Sequence, residues 1–252
     1  MARSLNDLAL AHGTDKAGAH SYTDAYELHL GRFRDRPVRL LEIGVGGYEA
    51  PDQGGESLRM WKEYFPQGQI FGLDIYDKSS LAEERITIVQ GDQGDERYLE
   101  ALAAERGPFD IVIDDGSHLC AHVIKSFQTL FPHVVDKGVY VIEDVQTSYW
   151  ATYANPFTPP GTTMALLKGL ADGLNYAEFD VVGYEPSYSD VWVQSLTLYH
   201  NIAFIQKGAN REPSNVLPPH PRSARVFDRS LRARLRSRLR ASTPAMKRRS
   251  EA

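Results

Sequence analysis

The 252-residue chain has a single cysteine, Cys120, so no disulfide can form within it. No window holds the roughly eighteen consecutive apolar residues that a membrane-spanning helix requires. The opening MARSLNDLALAHGTDK also lacks the long apolar stretch of a secretory signal. These absences point to the cytoplasm and leave contact with a membrane surface open. Internal repeats are missing too, and 42% hydrophobic residues suffice for one large core with appendages.

The net charge of -5 conceals an asymmetry. From Arg211 onward, twelve Lys and Arg face three Asp and Glu, a net +9, whereas the first 210 residues carry sixteen against thirty, a net -14. In the basic tail, Phe227, Leu231, Leu235 and Leu239 recur every four residues among arginines, the pattern of a basic amphipathic helix. A solvated or disordered extension is the competing reading. The acidic body argues against nucleic acid as a partner.

Within the body, VRLLEIGVGG, GQIFGLDIY, RITIVQGD, FDIVIDDGS and KGVYVIEDV each read as a β-branched strand ending in an acid. SLRMWKEYF, ERYLEALAAE and CAHVIKSFQTLFPHV lie between them as helices. This alternation predicts an α/β fold, a parallel sheet with helices on both faces and ligands beyond the carboxyl ends of its strands. QTSYWATYANPFTPPGTT is an aromatic, Pro-rich loop of the kind that forms a lid or binds an acceptor; Tyr149, Trp150 and Tyr153 in it suit stacking on a ligand, with core packing as the competing reading. MALLKGLADGLNYA then predicts a helix, and DVWVQSLTLYHNIAFIQKG an antiparallel hairpin at one edge, giving about seven strands.

The first strand runs into Gly44, Gly46 and Gly47, where missing side chains let a ligand approach the backbone. Glu42 precedes the turn, Asp74 ends the second strand within reach of ribose hydroxyls, and Asp92 with Gln93 end the third, placed for an adenine. Ten residues separate Gly47 from a helix expected to start at Leu58. A pyrophosphate needs the helix N-terminus directly after the glycines, so a nucleoside without phosphates fits better.

Asp115, Glu143 and Asp144 end two strands that one strand–helix–strand unit would make neighbours. Three such oxygen donors suit a hard divalent cation, Mg2+ above all. His118 lies in the turn after Asp115, beside the metal if not on it, while Asp114 is expected to face the other way. His12, His20, His122, His133 and His200 read as ordinary histidines.

Five motifs in order, HGTDKAGAHSYTDAYE, LEIGVGGY, GGESLRMWKEYFPQGQIFGLDIYDK, IDDGSH and VIEDVQTSYW, resemble the Mg2+- and S-adenosylmethionine-dependent sugar O-methyltransferases. These decorate macrolide and anthracycline-type antibiotics, with a related branch acting on mannosides of methylated polysaccharides. The resemblance spans Leu5 to Gly208 and leaves out the tail. It implies a Rossmann-like class I methyltransferase fold over 37–210, preceded by a helical cap over 1–36 and followed by the basic tail at 211–252. It also implies S-adenosylmethionine and Mg2+ as cofactors. Asp115, Glu143 and Asp144 would be the metal ligands, His118 the general base, and Glu42, Gly44, Gly46, Ser57, Asp74, Asp92, Gln93, Asp114 and Tyr22 the donor contacts. The implied acceptor is a mannoside- or rhamnoside-type sugar, and a homodimer is expected from general frequency. A metal-dependent hydroxylase of the cephalosporin-modifying type and a non-catalytic binding module are the alternatives.

Overall fold

The computed structural model describes residues 3–154 and 161–216. The expected amphipathic tail helix lies outside the described residues, as does the middle of the Pro-rich loop. Seven strands form one sheet: β1 (Arg39–Ile43), β2 (Gln69–Asp74), β3 (Ile86–Gln90), β4 (Phe109–Asp114), β5 (Val134–Ile142), β6 (Val193–Tyr199) and β7 (Ile202–Lys207). Their spatial order is β3-β2-β1-β4-β5-β7-β6; β1 to β5 are parallel, while β7 runs antiparallel to both β5 and β6.

Strict alternation of side chains divides the core in two. Leu40, Ile111, Ile113, Val139 and Val141 face α1 (Leu5–His12), α2 (Thr23–Leu30) and α3 (Glu56–Tyr64). Leu41, Ile43, Val112, Tyr140 and Ile142 face α4 (Glu96–Arg106), α5 (Cys120–Leu130), α6 (Thr163–Gly173) and α7 (Tyr188–Trp192). Because helices cover both faces, the strands are apolar on both sides and read as continuous hydrophobic runs. The N-terminal helices share this core: Leu5, Leu8, Tyr26, Leu30 and Phe33 are buried with Trp61 and Ile70. Among the described residues, no helix is long and apolar enough to cross a membrane.

Two boundaries differ from the sequence-based expectation. α3 starts at Glu56, two residues before Leu58, because Gly55 adopts a left-handed conformation at its N-cap (φ 77°) that a side chain would resist. α5 stops at Leu130 and β5 already begins at Val134, since Pro132 cannot continue the helical hydrogen bonding and restricts the residue before it.

The register decides what meets at the carboxyl edge. Ile43 pairs with Asp114, and Asp114 with Ile142, so the residues that follow, Gly44, Asp115 and Glu143, emerge side by side. Strand order reverses between β1 and β4, the place where open α/β sheets bind ligands.

Candidate active site

The turn after β1 is shaped by Gly44, at φ 94°, where a Cβ would stand 2.1 Å from the carbonyl oxygen of Asp115. Only glycine lets the β1 and β4 turns approach this closely. Gly46 is also left-handed (φ 82°). Asp74 braces the turn, one carboxylate oxygen accepting from the Val45 amide (2.8 Å) and the other from that of Tyr76 (2.9 Å). The loop from the turn to α3 is clamped by Lys78, fully buried, whose Nζ donates to the carbonyls of Ala50 (2.5 Å) and Gln53 (3.0 Å).

Beneath the turns lies a nest of charge. Lys16 is 0% exposed, and its Nζ stands 2.7 Å from Asp115 Oδ2, 2.7 Å from Glu143 Oε1 and 3.1 Å from Glu42 Oε1. Glu42 also accepts from Ser57 Oγ (3.0 Å), and Tyr26 donates a short hydrogen bond to Glu143. Burial works against the Lys16 charge, but Asp115, Glu143 and Glu42 outweigh it and hold its pKa well above the ordinary range. Burial and the Asp115 charge raise the Glu143 pKa as well, towards its protonated form, and burial does the same to Glu42. These directions agree, because three carboxylates, those of Asp115, Glu143 and Glu42, surround one ammonium. Such a nest favours cations.

Asp115, His118 and Asp144 form the group whose potential metal-ligating atoms, among the described residues, converge to within 4.8 Å. Asp115 and Asp144 bring two carboxylates into this group, the oxygen donors that a hard divalent cation takes, with the His118 imidazole beside them. Glu143 sits behind this group, with Oε1 engaged by Lys16 and Tyr26, and His118 stands in front, Nε2 being 3.8 Å from Asp144 Oδ2. Tyr22 donates to Asp144 Oδ1 (2.8 Å). Both His118 (φ 55°) and Asp144 (φ 52°) hold left-handed backbones, a conformation that costs a residue with a side chain about 1–2 kcal/mol. Strain of this kind persists where surrounding contacts over-determine the backbone, and it concentrates at functional sites.

The expected donor contacts separate into two groups. Asp74 ends β2 and Asp92 lies exposed two residues after β3, its Oδ1 accepting from the Gly94 amide (2.6 Å). Gln93 and Asp114 are buried and committed to one another: Gln93 Nε2 donates to Asp114 Oδ1 (2.6 Å), Gln93 Oε1 accepts from the Ser117 amide (2.9 Å), and Ser126 and Tyr140 hold the remaining Asp114 oxygen. They brace the β3 and β4 turns from below, as Glu42 and Ser57 brace the β1 turn. Burial raises the Asp114 pKa. The sequence reading missed Lys16 and Lys78, whose partners lie far away along the chain.

Of the loop aromatics, Tyr149 and Trp150 are exposed, and the Tyr153 ring centroid lies 6.4 Å from that of His118. A cavity of about 490 Å³ opens on the other side of Tyr22, between Ala19–Leu28 and the β6–β7 turn at Tyr199–Ile202. Its lining includes none of Asp115, His118 and Asp144, so the chemistry is assigned by the converging side chains and not by this hollow.

No family model matches the chain. It is 49% identical over 213 residues to the mycinamicin VI 2''-O-methyltransferase of Micromonospora griseorubida, covering 82% of this chain and 53% of the relative. It is 50% identical over 208 residues to the 8-demethyl-8-alpha-L-rhamnosyl tetracenomycin-C 2'-O-methyltransferase of Streptomyces olivaceus, covering 82% of this chain and 55% of the relative. The chain thus spans about half the length of the curated relatives it matches. Among solved structures, the MycE methyltransferase of the mycinamycin pathway, in complex with Mg and SAH, superposes with a TM-score of 0.83 at 43% identity, over 94% of this chain and 61% of that one. Over the part that it matches, therefore, the chain has the class I methyltransferase fold and is a homologue of the S-adenosylmethionine-dependent sugar O-methyltransferases of macrolide and tetracenomycin pathways.

Proposed function

We propose that the chain transfers the methyl group of S-adenosylmethionine to a sugar hydroxyl of a glycosylated natural product, with Mg2+ as the second cofactor. The observation that carries this reading is the convergence of Asp115, His118 and Asp144 beside the glycine turn of β1.

Asp115 and Asp144 would offer carboxylate oxygens to the metal, and Glu143, bound to Lys16 and Tyr26, backs them from behind. A bound Mg2+ lends Lewis acidity that makes chelated sugar hydroxyls easier to deprotonate. His118 Nε2 accepts the hydroxyl proton, and Asp144, 3.8 Å away, stabilises the imidazolium so formed. As the O–CH3 bond forms, the S–CH3 bond breaks, its electron pair stays on sulfur, and S-adenosylhomocysteine leaves. The strained turns fix donor and acceptor in line, and much of the acceleration comes from that positioning. Asp74 and Asp92 face the donor's nucleoside.

The test is a donor-consumption screen with Mg2+ over glycosylated natural products, rhamnosides and mannosides. S-adenosylhomocysteine should form with at least one acceptor and stop with EDTA; full turnover in EDTA overturns the metal assignment. A non-haem iron hydroxylase fits less well, since such sites take two histidines and one carboxylate whereas this group holds the reverse. Homodimer assembly and contact of the basic tail with anionic surfaces belong to the same proposal, and light scattering and liposome flotation test them.

A further inference from the structure

Thr147 contacts neither of the cleft-facing oxygens of the cluster, yet it touches the backbone of two cluster residues. Its side chain is buried (3% exposed), and Oγ1 stands 2.8 Å from the Asp144 carbonyl and 3.2 Å from that of His118. Its own amide donates to the Asp144 carbonyl at 3.0 Å. His118 and Asp144 belong to different turns, after β4 and β5, and both are left-handed. A single hydroxyl proton shared by the two carbonyls therefore ties together the two strained residues that carry the imidazole and a carboxylate. Neither turn contains any other side chain with this double contact among the described hydrogen bonds.

The geometry points to Thr147 as a positioning residue, a clasp that sets the spacing between His118 and Asp144 and hence the divalent-cation geometry of the site. This rests on the metal-dependent reading above. Groups that orient metal ligands without touching the ion change its affinity by about 10- to 100-fold when removed. Thr147→Val keeps the shape and loses the hydroxyl; Thr147→Ser keeps the hydroxyl and loses the methyl.

The experiment is Mn2+ titration of the donor-free protein, free Mn2+ being followed by electron paramagnetic resonance. Relative to wild type, Mn2+ binding by Thr147→Val should weaken about tenfold or more, and Thr147→Ser should stay within about twofold. Leu8→Ala, on the buried face of α1, serves as the destabilised control and should keep wild-type Mn2+ affinity. Wild-type affinity in Thr147→Val, or equal weakening in Thr147→Ser or Leu8→Ala, overturns the clasp. A wild-type protein that takes up no Mn2+ overturns the functional reading, and the clasp with it.

Discussion

Lys16 donates to Asp115 and Glu143, stands 3.1 Å from Glu42 and has no exposure to water, so its removal strands acids in the interior. Lys16→Met keeps the length of the side chain and loses the charge; we expect it to cost about 3–5 kcal/mol, read from urea unfolding, because breaking a buried ion pair leaves uncompensated charge. An unchanged midpoint would mean that the three acids find another counter-ion. His118 acts at the other side of the same nest. His118→Ala should keep S-adenosylhomocysteine affinity and lose about a hundredfold or more in kcat; wild-type kcat would remove it from the chemistry. At this scale the sequence was legible where chemistry sits next to chemistry: Asp115, His118 and Asp144 follow their strands within a few residues. It was silent on Lys16, which lies 99 positions from Asp115 and 127 from Glu143, distances that no spacing rule connects. Gln93 and Asp114 were legible as acid-rich strand ends, but which way a buried side chain turns depends on partners such as Ser126 and Tyr140.

The turns after β1, β4 and β5 work as one element, since each is shaped by contact with the next. Gly44→Ala would press a Cβ against the Asp115 carbonyl from a backbone at φ 94° that alanine avoids. The β4 turn must then shift, and we expect S-adenosylhomocysteine affinity, measured by calorimetry, to fall about tenfold or more, equivalent to ~1.4 kcal/mol. Retained affinity would show that the two turns need not touch for the donor to bind. The strands could be read because two-sided burial writes apolar runs into the sequence and acids mark their ends. The start of α3 was misplaced because its signal is a left-handed Gly55 and the clamp of Lys78 on the carbonyls of Ala50 and Gln53, a contact between loops. The β5 boundary was misplaced because apolar residues after Pro132 suit helix and strand alike until Val134 pairs with Phe109.

For the whole molecule, the buried phenols and one buried lysine determine how stability responds to alkali. Burial, with hydrogen bonds to Glu27 and Asp190, raises Tyr64 and Tyr184 above the ordinary value of 10.0; burial raises Tyr140 as well. A folded pKa above the unfolded one means that the folded chain keeps protons the unfolded chain has released. Their contribution is complete below about pH 10 and is lost above it. Lys207 works in the opposite sense. Its Nζ donates to the carbonyls of Phe131, Pro132 and Val134, and burial pushes its pKa down to about 8. Between that value and the ordinary 10.5 the unfolded chain binds the extra proton, so this residue makes stability rise with pH across the window. Urea unfolding from pH 7 to 11 should therefore show stability rising or level between about 8 and 10, then falling as absorbance near 295 nm reports phenolate formation. Lys207→Met should flatten the rise and leave the fall in place. A steady decline through the window in the wild type, unaltered by that substitution, would mean that the three carbonyls hold the ammonium strongly enough to offset its burial.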